Sequence, residues 1–196
     1  ISASQHAPTS GRIVSVTDVA APHPSGLPQT TIIIEPDGKD EWADLPEPVA
    51  DPFAADLQVI RDRVAQAGVV GLGGAVFPAA VKLNLGTQYK IEILLINGAE
   101  CEPYITCDDR VMREYADEVI DGARIVARVM GAPRVVVGIE LNKPQAIEIM
   151  TKAAAPFAEV EVVGVPALYP MGYAHELILA ITGRETPAGK RTAEVG

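Results

Sequence analysis

The sequence predicts an α/β fold, and three observations carry that expectation. Apolar, β-branched runs occur at residues 91–96 (IEILLI), 134–139 (RVVVGI) and 160–165 (VEVVGV), the composition of strands buried on both faces. Between them lie longer segments whose apolar residues recur every three to four positions, the period of amphipathic helices. Alternation of the two implies parallel βαβ units, hence a layered, Rossmann-like parallel sheet with helices. The third observation is a change of character near residue 54. Residues 1–54 hold half of the 16 prolines, no long helical pattern, and two extended runs at 12–17 (RIVSVT) and 30–35 (TTIIIE). They read as a small β-rich unit, barrel-sandwich-like and incomplete.

The elements follow in order. Residues 36–52 are acidic and Pro-rich, with a Pro36-Asp37-Gly38 turn signal, and act as a connector. This divides the chain into 1–54, the β-rich unit with its connector, and 55–196, the α/β domain. Leu57, Ile60, Val64 and Ala67 form the stripe of a helix stopped by Gly68. Residues 110–130 carry Met112, Ala116, Val119, Ile120, Ala123 and Val126 at helical spacing, ending at Gly131. Pro144 opens a helix over 144–155 from a first-turn position, where its missing N–H costs nothing. A last helix spans 173–182, stopped by Gly183.

Composition excludes several functions. The 196 residues carry a formal charge of −10 and a pI near 4.7, which argues against nucleic acid and anionic lipid as partners, since both select clustered Lys and Arg. No apolar run approaches the roughly 18 residues needed to cross a bilayer, so no direct membrane insertion is expected. Cys101 and Cys107 lack the spacing of a zinc or ferredoxin-type site and read as free thiols. His6 and His23 have no metal-ligand partners at suitable spacing, and His175 reads as a surface or capping residue. No metal site is expected.

Two segments carry the chemistry. In Gly71–Lys82 (GLGGAVFPAAVK), Gly71, Gly73 and Gly74 let the backbone approach a ligand. Pro78 starts a short helix whose free N–H groups would face a phosphate, and Lys82 adds a positive charge. The loop follows a helix and precedes a strand, so it is not the dinucleotide fingerprint that opens a helix after a strand. A phosphate cradle and a turn for close helix packing both remain open. In Asn97–Arg110 (NGAECEPYITCDDR), the loop begins at the carboxyl end of a strand, where open α/β sheets bind ligands. Glu100 and Glu102, two apart, point to opposite sides, one of them available to ribose hydroxyls. Asp108 and Asp109 read as an N-cap and first-turn charge for the helix that follows. No nucleophile and base lie close together, so no catalytic residue is assigned.

Five co-linear motifs resemble the C subunit of the Rnf ion-translocating electron-transport complex. They are residues 6–42 (HAPTSGRIV, HPSGL, IEPDGKDEW), GLGGAVFPAAVKL at 71–83, INGAECEPYITCDDRVMRE at 96–114, GIELNKPQAI at 138–147 and YPMGYAHELILAITGRETP at 169–187. The two loops are more distantly similar to the NADH-binding flavoprotein subunit of respiratory complex I. The resemblance implies that Gly71, Gly73, Gly74, Lys82 and Asn97 contact FMN and that Phe77, Glu100 and Glu102 meet flavin or NADH. Glu140 matches a further acid lining the site. The implied function is passage of electrons between NADH and iron–sulfur clusters, with FMN as the converter from two-electron to one-electron transfer. The [4Fe-4S] clusters are expected only beyond Gly196, so this chain alone is expected to be inactive. The implied partners are NADH and the other subunits of an Rnf-type complex, with the protein peripheral on the cytoplasmic side of the bacterial inner membrane.

Two departures accompany the resemblance. The family reads GGAGFP where this chain has Val76, placing a branched side chain where the backbone approaches a ring. Where the family has Gly-Gly-Glu-Lys after Tyr-Pro-x, this chain has Gly172-Tyr173-Ala174-His175. Two other readings stay open: a cobalamin-reductase-like flavoprotein that shares the glycine loop, and a non-catalytic docking domain that has lost cofactor binding.

Overall fold

The computed structural model describes residues 2–71 and 76–196. It contains two compact units, Ser4–Ala50 and a larger one built on Asp51–Gly196. The small unit is a single antiparallel hairpin of β1 (Gly11–Ala20) and β2 (Pro28–Pro36), with a register irregularity between Ile13 and Ser15. Ile13, Val16 and Ile32 remain more than half exposed, because two strands alone have no second layer to bury a face against.

In the larger unit, β3 (Ile93–Gly98), β4 (Arg134–Glu140) and β5 (Val160–Val165) form a parallel sheet in the order β3-β4-β5. Burial on both faces, expected of all three, holds for central β4. On β3 most residues are half-buried, and β5 exposes Glu161 and Gly164. Among the described residues β3 and β5 border the sheet, and each has only one strand beside it.

Helices cover both faces. Val135, Val137 and Ile139 pack with Ile120 and Ala123 of α4 (Ala116–Met130) and Ala146 and Met150 of α5 (Pro144–Ala154). On the opposite face, a Cβ on Gly138 would stand 3.0 Å from Leu177 and 2.8 Å from Ile181, so the glycine lets α6 (Ala174–Thr182) rest directly on the strand. Each fully buried aliphatic side chain here contributes about 1.5–3 kcal/mol.

The helix expected over 110–130 is two helices. Helix α3 (Cys107–Glu114) ends at Tyr115, whose φ of −130° and ψ of 38° break the helical path before α4. The break lets α3 keep Met112 beneath Gly98, with its sulfur 2.9 Å from where a Cβ would be, while α4 lays Ile120 on the sheet. The cap also differs: Thr106 occupies the N-cap with no side-chain hydrogen bond, and Asp108 and Asp109 lie in the first turn.

Helix α1 (Leu57–Gln66) is capped by Asp56, which accepts from the Gln58 N–H at 2.7 Å, and Gly68 beyond its end has φ 67°. Its Ile60 packs with Val129 of α4 and with Leu83 of α2 (Ala79–Leu83). Arg61 donates to the Val129 carbonyl at 2.9 Å and Arg128 to the Pro52 and Ala55 carbonyls. After α2, a 3-10 turn (Asn84–Thr87) brings Gly86 against the end of α4. A Cβ there would stand 2.7 Å from Met130 Cα. Gly86→Ala is therefore expected to lower stability by about 1–3 kcal/mol, the cost of overpacking a rigid contact. Urea denaturation checks this, and an unchanged midpoint would contradict the close approach.

Candidate functional site

The glycine segment is closed at its base by the backbone. Gly71 N–H donates to the Phe77 carbonyl and Ala79 N–H to the Val69 carbonyl, each at 2.9 Å, and Val70 bridges Pro78. Helix α2 starts after Pro78 as the sequence predicts, but its first N–H is committed to Val69 and does not face a ligand. Gly73 and Gly74 lie outside the described residues. A Cβ on Gly71 would stand 3.3 Å from Lys82 Nζ, so the ammonium folds back over the loop base. Phe77 is partly exposed beside it. Val76 adopts φ 48°, a left-handed conformation unusual for a β-branched residue. This is the position where the sequence departs from the glycine of the resembled pattern.

The acidic segment leaves the carboxyl end of β3. Asn97 grips a neighbouring loop: its Nδ2 donates to the Gly172 carbonyl at 2.8 Å and its Oδ1 accepts from the Ala99 N–H at 3.1 Å. The same Gly172 residue donates its N–H to Cys101 Sγ at 3.2 Å. A Cβ on Gly172 would meet the Ala99 carbonyl oxygen at 2.6 Å and Cys101 Sγ at 2.9 Å, so only glycine fits here.

Glu100 and Glu102 diverge as their spacing implies, Glu100 buried and Glu102 exposed. Glu100 Oε1 accepts from the Asp108 N–H at the start of α3, at 2.8 Å. Glu100 Oε2 is buried and accepts no hydrogen bond. Lys143 Nζ stands 3.8 Å from it and 4.0 Å from Glu140 Oε2, distances that compensate charge without making a hydrogen bond. Glu140, the last residue of β4, is as deeply buried as Glu100. The two acids thus project from adjacent strand ends and share one ammonium.

The Asp108 carboxyl is held above the usual range, first by burial and then by the charges of Glu100 and Glu102, against the Cys107 thiol contact. Glu100, Cys107 and Asp108 place ligand atoms within 4.8 Å of one another. The Lys143 ammonium beside Glu100 disfavours a cation there.

The structure therefore gathers the sequence-predicted residues into separate groups: Gly71, Phe77 and Lys82; Asn97 with Gly172; and Glu100 with Glu140. Among the described residues, no hydrogen bond or ion pair joins Lys82 to Asn97, Glu100, Glu102 or Glu140. Lys143, Cys101 and Gly172 had no site role on sequence grounds. For Lys143 the available signal was its place three residues after Glu140, close enough for a long side chain to reach back.

Asn97, Glu100 and Glu140 thus lie at or just beyond the carboxyl ends of β3 and β4, the edge at which open parallel α/β sheets bind ligands. The Nuo51 FMN-binding domain family matches residues 64–196, and the chain belongs to that family. It is 53% identical over 200 residues, all of this chain, to the C subunit of the ion-translocating oxidoreductase complex of Rhodobacter capsulatus. To its counterpart in Haemophilus influenzae strain PittEE it is 46% identical over 191 residues, 97% of this chain. The chain spans 38% and 29% of the lengths of these relatives. The resemblance to the C subunit of the Rnf complex, drawn from the five motifs, is thus borne out. Among solved structures, the NAD+-reducing [NiFe]-hydrogenase in its H2-reduced state superposes with a TM-score of 0.58 at 27% identity, over 69% of this chain and 26% of that one.

Two outcomes are expected. Val76→Gly removes left-handed strain and should raise stability by about 0.5–1 kcal/mol after the added unfolded-state entropy of glycine. Guanidinium denaturation measures it, and a loss would mean that the side chain packs more than it strains. For Asp108, a folded value raised above the unfolded one gives stability that is present below about pH 3.8 and lost as pH rises through the folded value. Asp108→Asn should therefore gain on the wild type between about pH 4 and pH 6, and equal gaps at both pH values in urea melts would contradict this.

Proposed function

We propose that this chain is the FMN- and NADH-binding portion of the C subunit of an Rnf-type membrane complex, passing electrons between NADH and iron–sulfur clusters held elsewhere in the same polypeptide. One observation carries the reading. A buried carboxylate, Glu100, sits at the carboxyl end of a parallel sheet with one oxygen lacking a donor, inside the span that matches the FMN-binding family. Dinucleotide sites of open α/β sheets use such an acid for ligand hydroxyls.

The residues present fit the group. Lys82 Nζ closes over Gly71, which suits a phosphate held through that ammonium. Gly71, Gly73, Gly74, Lys82 and Asn97 would hold FMN, with Asn97 using the amide hydrogen left over from Gly172. Phe77, Glu100, Glu102 and Glu140 would line the flavin–nicotinamide side. Bound FMN supplies the exchange of a two-electron donor for one-electron acceptors. The chain's own residues bind, orient and compensate charge, and none need move a proton. The other subunits of the complex would be its partners, at the cytoplasmic side of the inner membrane. Among the described residues no helix is long and apolar enough to cross a membrane.

Titration of the intact parent subunit with FMN, followed by anaerobic NADH, tests the reading. The flavin band should appear on binding and bleach with NADH. Lys82→Met should weaken FMN binding by about tenfold, the loss of one charge-assisted contact. An intact subunit that binds no FMN would sink the proposal. One that binds FMN yet is not bleached by NADH would remove the nicotinamide half.

A further inference from the structure

We propose that Lys143 is a positioning residue of the nucleotide site, tethering the buried acids so that Glu100 turns its free oxygen towards a hydroxyl of the bound dinucleotide. The inference rests on the reading of the site given above. It begins with the turn between β4 and α5, where the Lys143 N–H donates to the Glu140 carbonyl at 2.9 Å. Pro144 at the first position of α5 fixes the direction in which the helix departs. The lysine side chain, 18% exposed, then runs back over the two strand ends.

Its ammonium ends 3.8 Å from Glu100 and 4.0 Å from Glu140. A charge-assisted hydrogen bond closes to about 2.7–2.9 Å. Here both gaps exceed that range by about 1 Å. Glu100 is anchored through Oε1 by the Asp108 N–H, while Oε2 keeps its lone pairs unused. The cluster is one donor short. Two acids share one cation, with Asp108 and Glu102 adding to the negative potential felt at this place. A neutral hydroxyl is the chemistry that completes it, and a phosphate is repelled.

The test uses the intact parent subunit loaded with FMN, following NADH oxidation with a one-electron acceptor. The FMN content of Lys143→Met is measured alongside, and kinetics are compared on flavin-loaded protein only. The substitution should raise KM for NADH about tenfold with kcat within about twofold, the signature of lost ligand binding. Lys143→Arg, which keeps the charge, should recover most of the loss. A KM in Lys143→Met within about twofold of wild type, or an arginine variant as impaired as the methionine one, overturns the proposal. If the wild-type protein oxidises no NADH, the site reading fails, and thermal midpoints decide for Lys143. Non-additive midpoints of Lys143→Met and Glu100→Gln sustain the tether, and additive ones overturn it.

Discussion

Strand β4 is covered on both faces, by α4 and α5 on one side and α6 on the other, and Val135, Val136, Val137 and Ile139 are completely buried. With both faces sealed, the strand's apolar residues have no access to a ligand. Any site the sheet builds must be assembled from residues at or just beyond the strand ends. Asn97, Glu100 and Glu140 occupy those places, and Lys143 follows in the next turn. Gly138 is part of the same constraint. A side chain there would hold α6 away from β4, and with it the Gly172 loop that Asn97 and Cys101 grip.

How much was legible in the sequence depended on whether a local pattern or a long-range contact decided the outcome. β4 and α5 were readable because a fully apolar run and a first-turn proline each impose one structure locally. The break at Tyr115 was not, because apolar periodicity continues through it. What separates α3 from α4 is the need to seat Met112 under Gly98 and Ile120 on the sheet at once. The divergence of Glu100 and Glu102 followed from the two-residue period of extended chain. Their spacing said nothing of Lys143, which lies 43 positions beyond Glu100 and meets it only because β3 and β4 are paired in parallel. The committed Ala79 N–H was hidden for the same reason, since its acceptor is fixed by closure of the loop base.

The glycine loop is tied to the core by more than its own base. Helix α1, which leads into it, is held through Arg61 to the carbonyl end of α4, and Ile60, Leu83 and Val129 pack together beneath. Arginine at the carboxyl end of a helix also meets the negative end of its dipole, which favours this docking. The chain thus enters and leaves this segment at points fixed to α4 and through it to the sheet.

The backbone of Gly172 has a consequence for variation among related chains. Asn97 and Cys101 hold it by its carbonyl and its amide hydrogen, neither of which depends on the identity of the neighbouring side chains. Tyr173, Ala174 and His175 can therefore differ from the Gly-Glu-Lys of the resembled pattern while the loop keeps its anchorage. That exchange repaints the surface of this edge, swapping charge for a tilted Tyr173–His175 ring pair, without moving the frame on which the surface is hung.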